Sequence, residues 1–339
     1  MHDSMTSDID TPDNTPLPAP HFLAAQAAVD IVLTSPHPDS KVAACLFNGR
    51  QMCARTNSWP DAILEKFGKN VRIGDSSGTV HAEVNCIIGY HGKTENAQIA
   101  ITDPCCPNCA KAIAEAGIKT VYIDHKGFQK DFAARRGDEF KDMSLSIMAH
   151  AGISIYEINR KAGTITPIYR PPNQFIVPEL YPIEVKQQPA PITKDLLQHC
   201  IDTAHIKHPR WGAALATDDN GHIYSLIAST HPAIGYSPET VKDDHSNEGP
   251  NKKYDFYLEP LNRLIIGAKR YGLDLAPNHI WLSTLPTPRE LVNAIGYGIH
   301  HLYIGEPDHS KKSASLEAVT LLTGNGLLDI EVLKRQEIR

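Results

Sequence analysis

Two stretches of the chain carry side chains of a type and spacing that chemistry uses. The first, "TVHAEVNCIIG" (79–89), sets His81 and Glu83 two residues apart in an apolar helical pattern whose stripe is Val80, Val84, Ile87 and Ile88. A histidine and an acid beside a buried stripe are costly unless each finds a partner. The second, "TDPCCPNCAKAIAEAG" (102–117), offers Cys106 and Cys109 as a C-x-x-C at the start of a predicted helix. Unpaired N–H groups and the positive dipole end favour thiolates there. One His and two Cys give a zinc ion three ligands and leave the fourth tetrahedral position open to water, the catalytic rather than the structural pattern. Glu83, close to that water without being a ligand, is placed to take its proton and deliver it to a leaving group. Each residue alone has a plainer reading: a core histidine, a surface acid, a redox or structural Cys pair. Their joint presence in this order is what selects catalysis.

Elements that position these groups are readable around them. "HFLAAQAAVDIVLTS" is an amphipathic helix, and "KVAACLF" and "RQMCART" are strands turning at Asn48-Gly49. After the His81 helix come the strand "AQIAIT", the Cys helix ended by Gly117, the strand "KTVYI", the helix "FKDMSLSIMAHAG" and the strand "ISIYEI". This alternation after a hairpin predicts an α/β domain, a mixed central sheet with helices on both faces.

The plan then repeats. "WGAALATDDNGHIYSLIAST" mirrors the hairpin and turns at Asn220-Gly221. "HIWLSTLPTPRELVNAIGYGIHHLYIG" matches "QIAITDPCCPNCAKAIAEAGIKTVYID" without a gap, so Gly298 falls on Gly117 and Tyr303 on Tyr122. In that register Cys106 becomes Thr287 and Cys109 becomes Glu290. The place of His81 is open: pairing Glu259 with Glu83 gives Tyr257, and pairing the two I-I-G triplets gives Glu259 itself. Neither register yields a thiolate pair, so the second copy is expected to be catalytically silent. Between the copies, residues 167–191 hold seven prolines, which remove backbone donors and fix φ. The expected organisation is a disordered tail at 1–20, a catalytic domain at 21–166, a Pro-rich linker at 167–191 and a degenerate domain at 192–339.

Composition bounds the setting. The 339 residues carry a net charge of −6, which argues against a broad nucleic-acid surface. Residues 21–165 hold 16 Lys and Arg against 15 Asp and Glu, a balance that suits a small substrate better than a polyanion while leaving a local basic patch open. No apolar run approaches the roughly 20 residues of a membrane span. The Asp- and Pro-rich first 20 residues lack a signal pattern. Seven cysteines, three of them in "CCPNC", suit a reduced cytoplasmic protein with a metal site better than a disulfide scaffold. Cys45, Cys53, Cys86 and Cys200 read as small core residues. Arg135 and Arg136 read as a solvated basic turn or as phosphate ligands.

His81, Glu83, Cys106 and Cys109 together resemble the zinc-dependent nucleobase deaminase superfamily, whose signature is H-x-E followed by P-C-x-x-C. Within it "HAEVNCII" is most similar to the deoxycytidylate deaminase branch, and "RTNSWP" (55–60) resembles that branch's Asn-containing loop. The resemblance covers about residues 40–160. It implies two tandem cytidine deaminase-like α/β/α domains and a zinc hydrolase in which hydroxide attacks the amine-bearing ring carbon of a cytidine-type nucleotide or nucleoside, with Glu83 shuttling the proton. It also implies that Asn57 touches base or sugar and that the Ala82 backbone reads the pyrimidine carbonyl. One departure is local: "PCCPNC" interposes Cys105 between the expected Pro and the first ligand. Cys106 suits a helix start, whereas Cys105 would give a wider C-x-x-x-C bite. The same change touches the pocket wall whose backbone carbonyl accepts the exocyclic amine. Because superfamily members often work as dimers or larger assemblies, the resemblance implies an intramolecular pseudo-dimer here and leaves homo-oligomers open. The rival readings are a deaminase of a base in RNA or DNA, or of a purine, and a non-catalytic module with structural zinc.

Overall fold

The computed structural model describes residues 19–129, 143–245, 254–306 and 313–336. Two six-stranded mixed sheets build the molecule. In the first, β1 (Ala43–Asn48) pairs antiparallel with β2 (Gln51–Thr56) and with β5 (Gln98–Ile101). From β5 the sheet runs parallel through β6 (Thr120–Asp124) and β7 (Ser154–Asn159), and β8 (Thr164–Tyr169) closes it antiparallel. The turn of the first hairpin needs its glycine, since Gly49 sits at φ +61°.

The second sheet repeats this plan at every shared joint. β10 (Trp211–Thr217) pairs antiparallel with β11 (Ile223–Ser229) and β14 (Asp274–Leu282), and β14, β15 (His301–Ile304) and β16 (Asp329–Val332) run parallel. The copies differ in the sixth strand. β8 extends the first sheet beyond β7, whereas β9 (Glu184–Gln188) extends the second beyond β11. Both lie in or beside the proline-rich stretch expected to be a bare linker. Pro167 is accommodated because β8 is an edge strand, with one side free of ladder bonds.

Helices cover both faces of each sheet. α1 (Pro20–Ile31) lays Ala24, Ala25 and Ala28 on Ala43, Cys45, Phe47 and Tyr122. α6 (Lys194–Thr203) does the same for the second sheet with Leu197 and Ile201 against Trp211 and Trp281. The inner faces carry α3 (Ala82–Ile88) and α4 (Pro107–Glu115) on one side, and α8 (Pro260–Tyr271) and α9 (Pro288–Tyr297) on the other. These four helices pack against one another, and the buried core they form is continuous across the two halves. Among the described residues the remaining α-helices are α2 (Asp61–Phe67), α5 (Leu145–His150), α7 (Pro238–His245) and α10 (Ala314–Gly324). α2, like the two-residue strands β3 (Arg72–Ile73) and β4 (Ser76–Ser77), has no counterpart among the sequence expectations. Among the described residues no helix is long and apolar enough to cross a membrane.

Candidate metal centre and cleft

The chain delivers its donors at two adjacent helix starts. His81 is the N-cap of α3, so the helix begins at Ala82, two residues after the Val80 at which the apolar pattern starts. Val80 is still buried, but as a strand residue: it exchanges backbone hydrogen bonds with Ser58 at 2.8 and 3.1 Å. Cys106 is the N-cap of α4, with Pro107 at the first helical position. Neither N-cap uses its side chain to cap, which leaves imidazole and thiol for another task. His81 Nδ1 lies 3.4 Å from Cys106 Sγ and 3.3 Å from Cys109 Sγ. All three donor atoms fall within 4.8 Å of one another, and this trio is the metal-competent cluster found among the described residues. Cys105 is buried beside it but is not part of it.

The donor set fits Zn2+. Ligand bonds of about 2.3 Å to sulfur and 2.0–2.1 Å to nitrogen at a tetrahedral angle put N and S about 3.6 Å apart, close to the separations seen. The hydrogen bond with Cys106 first, then burial and the Cys106 and Glu83 charges, hold the Cys109 thiol well above its usual range. The thiols therefore ionise here only with a neutralising cation beside them.

Residues 21–125 match the family model described as "Cytidine and deoxycytidylate deaminase zinc-binding region". These residues lie in the first domain, which is similar over this span to that zinc-binding region. A 28% identical relative, described as an uncharacterized deaminase in the luxG 3′ region of Aliivibrio fischeri, aligns over 122 residues, 36% of this chain and 81% of its own length. Among solved structures, the dCMP deaminase of cyanophage S-TIM5 in complex with dCMP and dUMP is similar at 19% identity and TM-score 0.31, covering 41% of this chain and 98% of that one. A chain from a study of A-to-I editing by tRNA:A34 deaminases is similar at 20% identity and TM-score 0.21, covering 31% and 74%.

In the first domain Glu83 occupies the first turn of α3 and is only 2% exposed, so it is no surface acid. It borders, with His81, Ala82 and Cys109, a cleft of about 1030 Å³. Asn57 borders the same cleft but is largely committed to the fold. Its Oδ1 accepts from Ser35 Oγ at 2.7 Å and from the Val42 N–H at 3.0 Å, and its Nδ2 donates to the Ser40 carbonyl at 2.8 Å. Asn85, which the sequence used only to choose a branch, donates to the Thr56 carbonyl at 2.9 Å and fastens α3 to the end of β2. Arg135 and Arg136 lie outside the described residues.

The far wall of the cleft comes from the second domain, through Tyr254, Tyr257, Glu259, Asn262, Arg289 and Asn293. Helix starts fix the register left open by sequence. Glu259 is the N-cap of α8 and Thr287 the N-cap of α9, so Glu259 stands where His81 does and Leu261 where Glu83 does. Glu290 stands for Cys109, and its carboxylate fills the centre. Oε1 accepts from the Leu261 N–H at 2.8 Å, and Oε2 accepts from the Thr287 N–H at 2.7 Å and from Thr287 Oγ1 at 2.9 Å. One buried carboxyl group thus bridges both helix N-termini, where the first domain offers a place for a cation.

Proposed function

We propose that the first domain is a zinc-dependent hydrolytic deaminase of a cytidine-type nucleotide or nucleoside. The observation that carries this is the three-donor cluster of His81, Cys106 and Cys109, opening with buried Glu83 on one cleft. When bound, zinc supplies the Lewis acidity that makes water a competent nucleophile near neutral pH. His81, Cys106 and Cys109 would hold the ion beside the cleft. Glu83 accepts the proton of the attacking water and delivers it to the departing amine, so ring carbon gains oxygen and loses ammonia. At the start of α3 the Ala82 N–H is not needed by the helix and serves the pyrimidine carbonyl. The Asn57 amide carries a second hydrogen besides the one given to the Ser40 carbonyl and offers it to sugar or base. In this reading the backbone carbonyl of buried Cys105 would accept from the exocyclic amine, although Cys105 is not among the residues that border the cleft. The family description and the near-neutral charge of residues 21–165 support a small pyrimidine substrate.

The second domain, in this reading, does no chemistry and supports the first as an intramolecular pseudo-dimer. Its counterpart positions are Glu259, Leu261, Thr287 and Glu290, which hold neither a thiolate pair nor a proton shuttle. The test is an ammonia-release screen of the zinc-loaded chain over cytosine, cytidine, deoxycytidine, their 5′-monophosphates, the purine counterparts and single-stranded RNA and DNA. Turnover confined to free cytosine compounds is expected. Release from polymer or purine alone transfers the assignment to that substrate, and no release from any sinks the enzyme reading.

A further inference from the structure

The segments carrying the zinc ligands are gripped by the second domain on both sides. On the histidine side, Arg289 of α9 donates from Nη1 to the Thr79 carbonyl at 2.6 Å and from Nη2 to Ser77 Oγ at 3.1 Å. Thr79 is buried and lies two residues before His81. The next residue, Val80, is held from the other side by Ser58. α9 presses on it closely: a Cβ at Gly296 would meet Val80 Cγ2 at 2.7 Å. On the cysteine side, Lys111 lies two residues after Cys109 and is 4% exposed. Its ammonium donates to the Asp255 carbonyl at 2.8 Å, the Tyr257 carbonyl at 2.6 Å and Asp255 Oδ1 at 3.1 Å. Every one of these acceptors belongs to the second domain, and an ammonium this deeply buried needs them.

From this we infer that Arg289 and Lys111 are positioning residues of the zinc centre, a reciprocal pair of cationic clamps by which the silent domain fixes the geometry of the His81 and Cys109 ligands. The inference rests on the zinc reading above. Each domain sends one cation into the other's backbone, and each anchor falls two residues from a ligand. General adhesion between the domains is supplied elsewhere, by Arg263 with Glu115 and by Arg270 with Glu179 and Glu95. Arg270 packs at Gly117, past the far end of α4 from Cys106. It therefore serves as a control that loosens the interface without touching a ligand segment.

The experiment follows zinc release from the full-length loaded chain to a chromophoric chelator, beside thermal unfolding. Arg289→Met and Lys111→Met are expected to release zinc about 10–100-fold faster, the range for lost support of metal ligands. Arg289→Lys should recover part of the loss. Arg270→Met should lower the unfolding temperature with wild-type zinc release. If either Met variant fails to fold, Arg289→Lys and Lys111→Arg must show an intermediate acceleration. Wild-type release rates in the clamp variants, or equal acceleration in Arg270→Met, overturn the inference while one zinc per wild-type chain leaves the metal reading standing. A wild-type chain that binds no zinc overturns both.

Discussion

Glu290 shows how one side chain sets the chemistry of a whole site. Burial first, then the charge of Glu259, raises its carboxyl from 4.5 to about 7, with the Thr287 hydrogen bonds opposing in part. The folded chain therefore keeps a proton there that the unfolded chain has released. Stability from this group is fully present below about pH 4.5 and is lost as pH rises towards about 7. Glu290→Gln should flatten that decline, read as denaturant midpoints measured across this window; a pH-independent gap between wild type and variant would contradict it. The four residues of the proposed metal chemistry were legible in sequence because a zinc site tolerates few residue types at few spacings. Arg289 and Lys111 were not. A lone Arg or Lys reads as a solvated charge until a partner domain buries it. The open choice between Tyr257 and Glu259 needed helix starts, which side-chain patterns blur by a residue or two.

Elements with strong local signals were equally legible. Both hairpins turn at Asn-Gly, α4 starts right after Cys106, its N-cap, and Gly117 follows its end at φ +70°. α3 came out shorter than its apolar pattern because Val80, although buried, spends its backbone on Ser58. β3, β4 and β9 were missed for a different reason. Two-residue strands leave no period to read, and β9 borrows its order from β11 rather than from its own sequence. α9 offers a test of packing over propensity. At an ordinary interior helix position, Gly→Ala gains about 1 kcal/mol. At Gly296 the added methyl meets Val80 Cγ2, a stiff β-branched atom, at 2.7 Å. Gly296→Ala should instead lose about 1–3 kcal/mol in denaturant unfolding. A stabilised variant would show that α9 does not press on the segment before His81.

At the scale of the molecule, the two halves share one core rather than touching as separate bodies. Arg263 marks its polar centre. It pairs with Glu115 at 3.1 Å, and the two side chains are 4% and 5% exposed. It also donates to the Ser229 and Tyr181 carbonyls. Arg263→Met leaves Glu115 buried and unpaired, so unfolding free energy should fall by about 3–5 kcal/mol. A loss within about 0.5 kcal/mol, as for an ordinary surface site, would mean that the interface relaxes and admits water. The duplication itself was visible in the sequence, since the gapless match of the Cys segment carries strand, helix and strand together. That the copies meet through their site helices was not, because no pattern within one copy says which face its partner covers. The assignment of the first domain as a zinc deaminase is tested most directly by zinc content and ammonia release on the same preparations of wild type and Glu83→Gln. One zinc per chain in both is expected, with ammonia from a cytosine compound in wild type and a rate lower by at least about 10²–10⁴ in the variant. Near-normal release by zinc-loaded Glu83→Gln, or a wild-type chain holding no zinc or two, would contradict it.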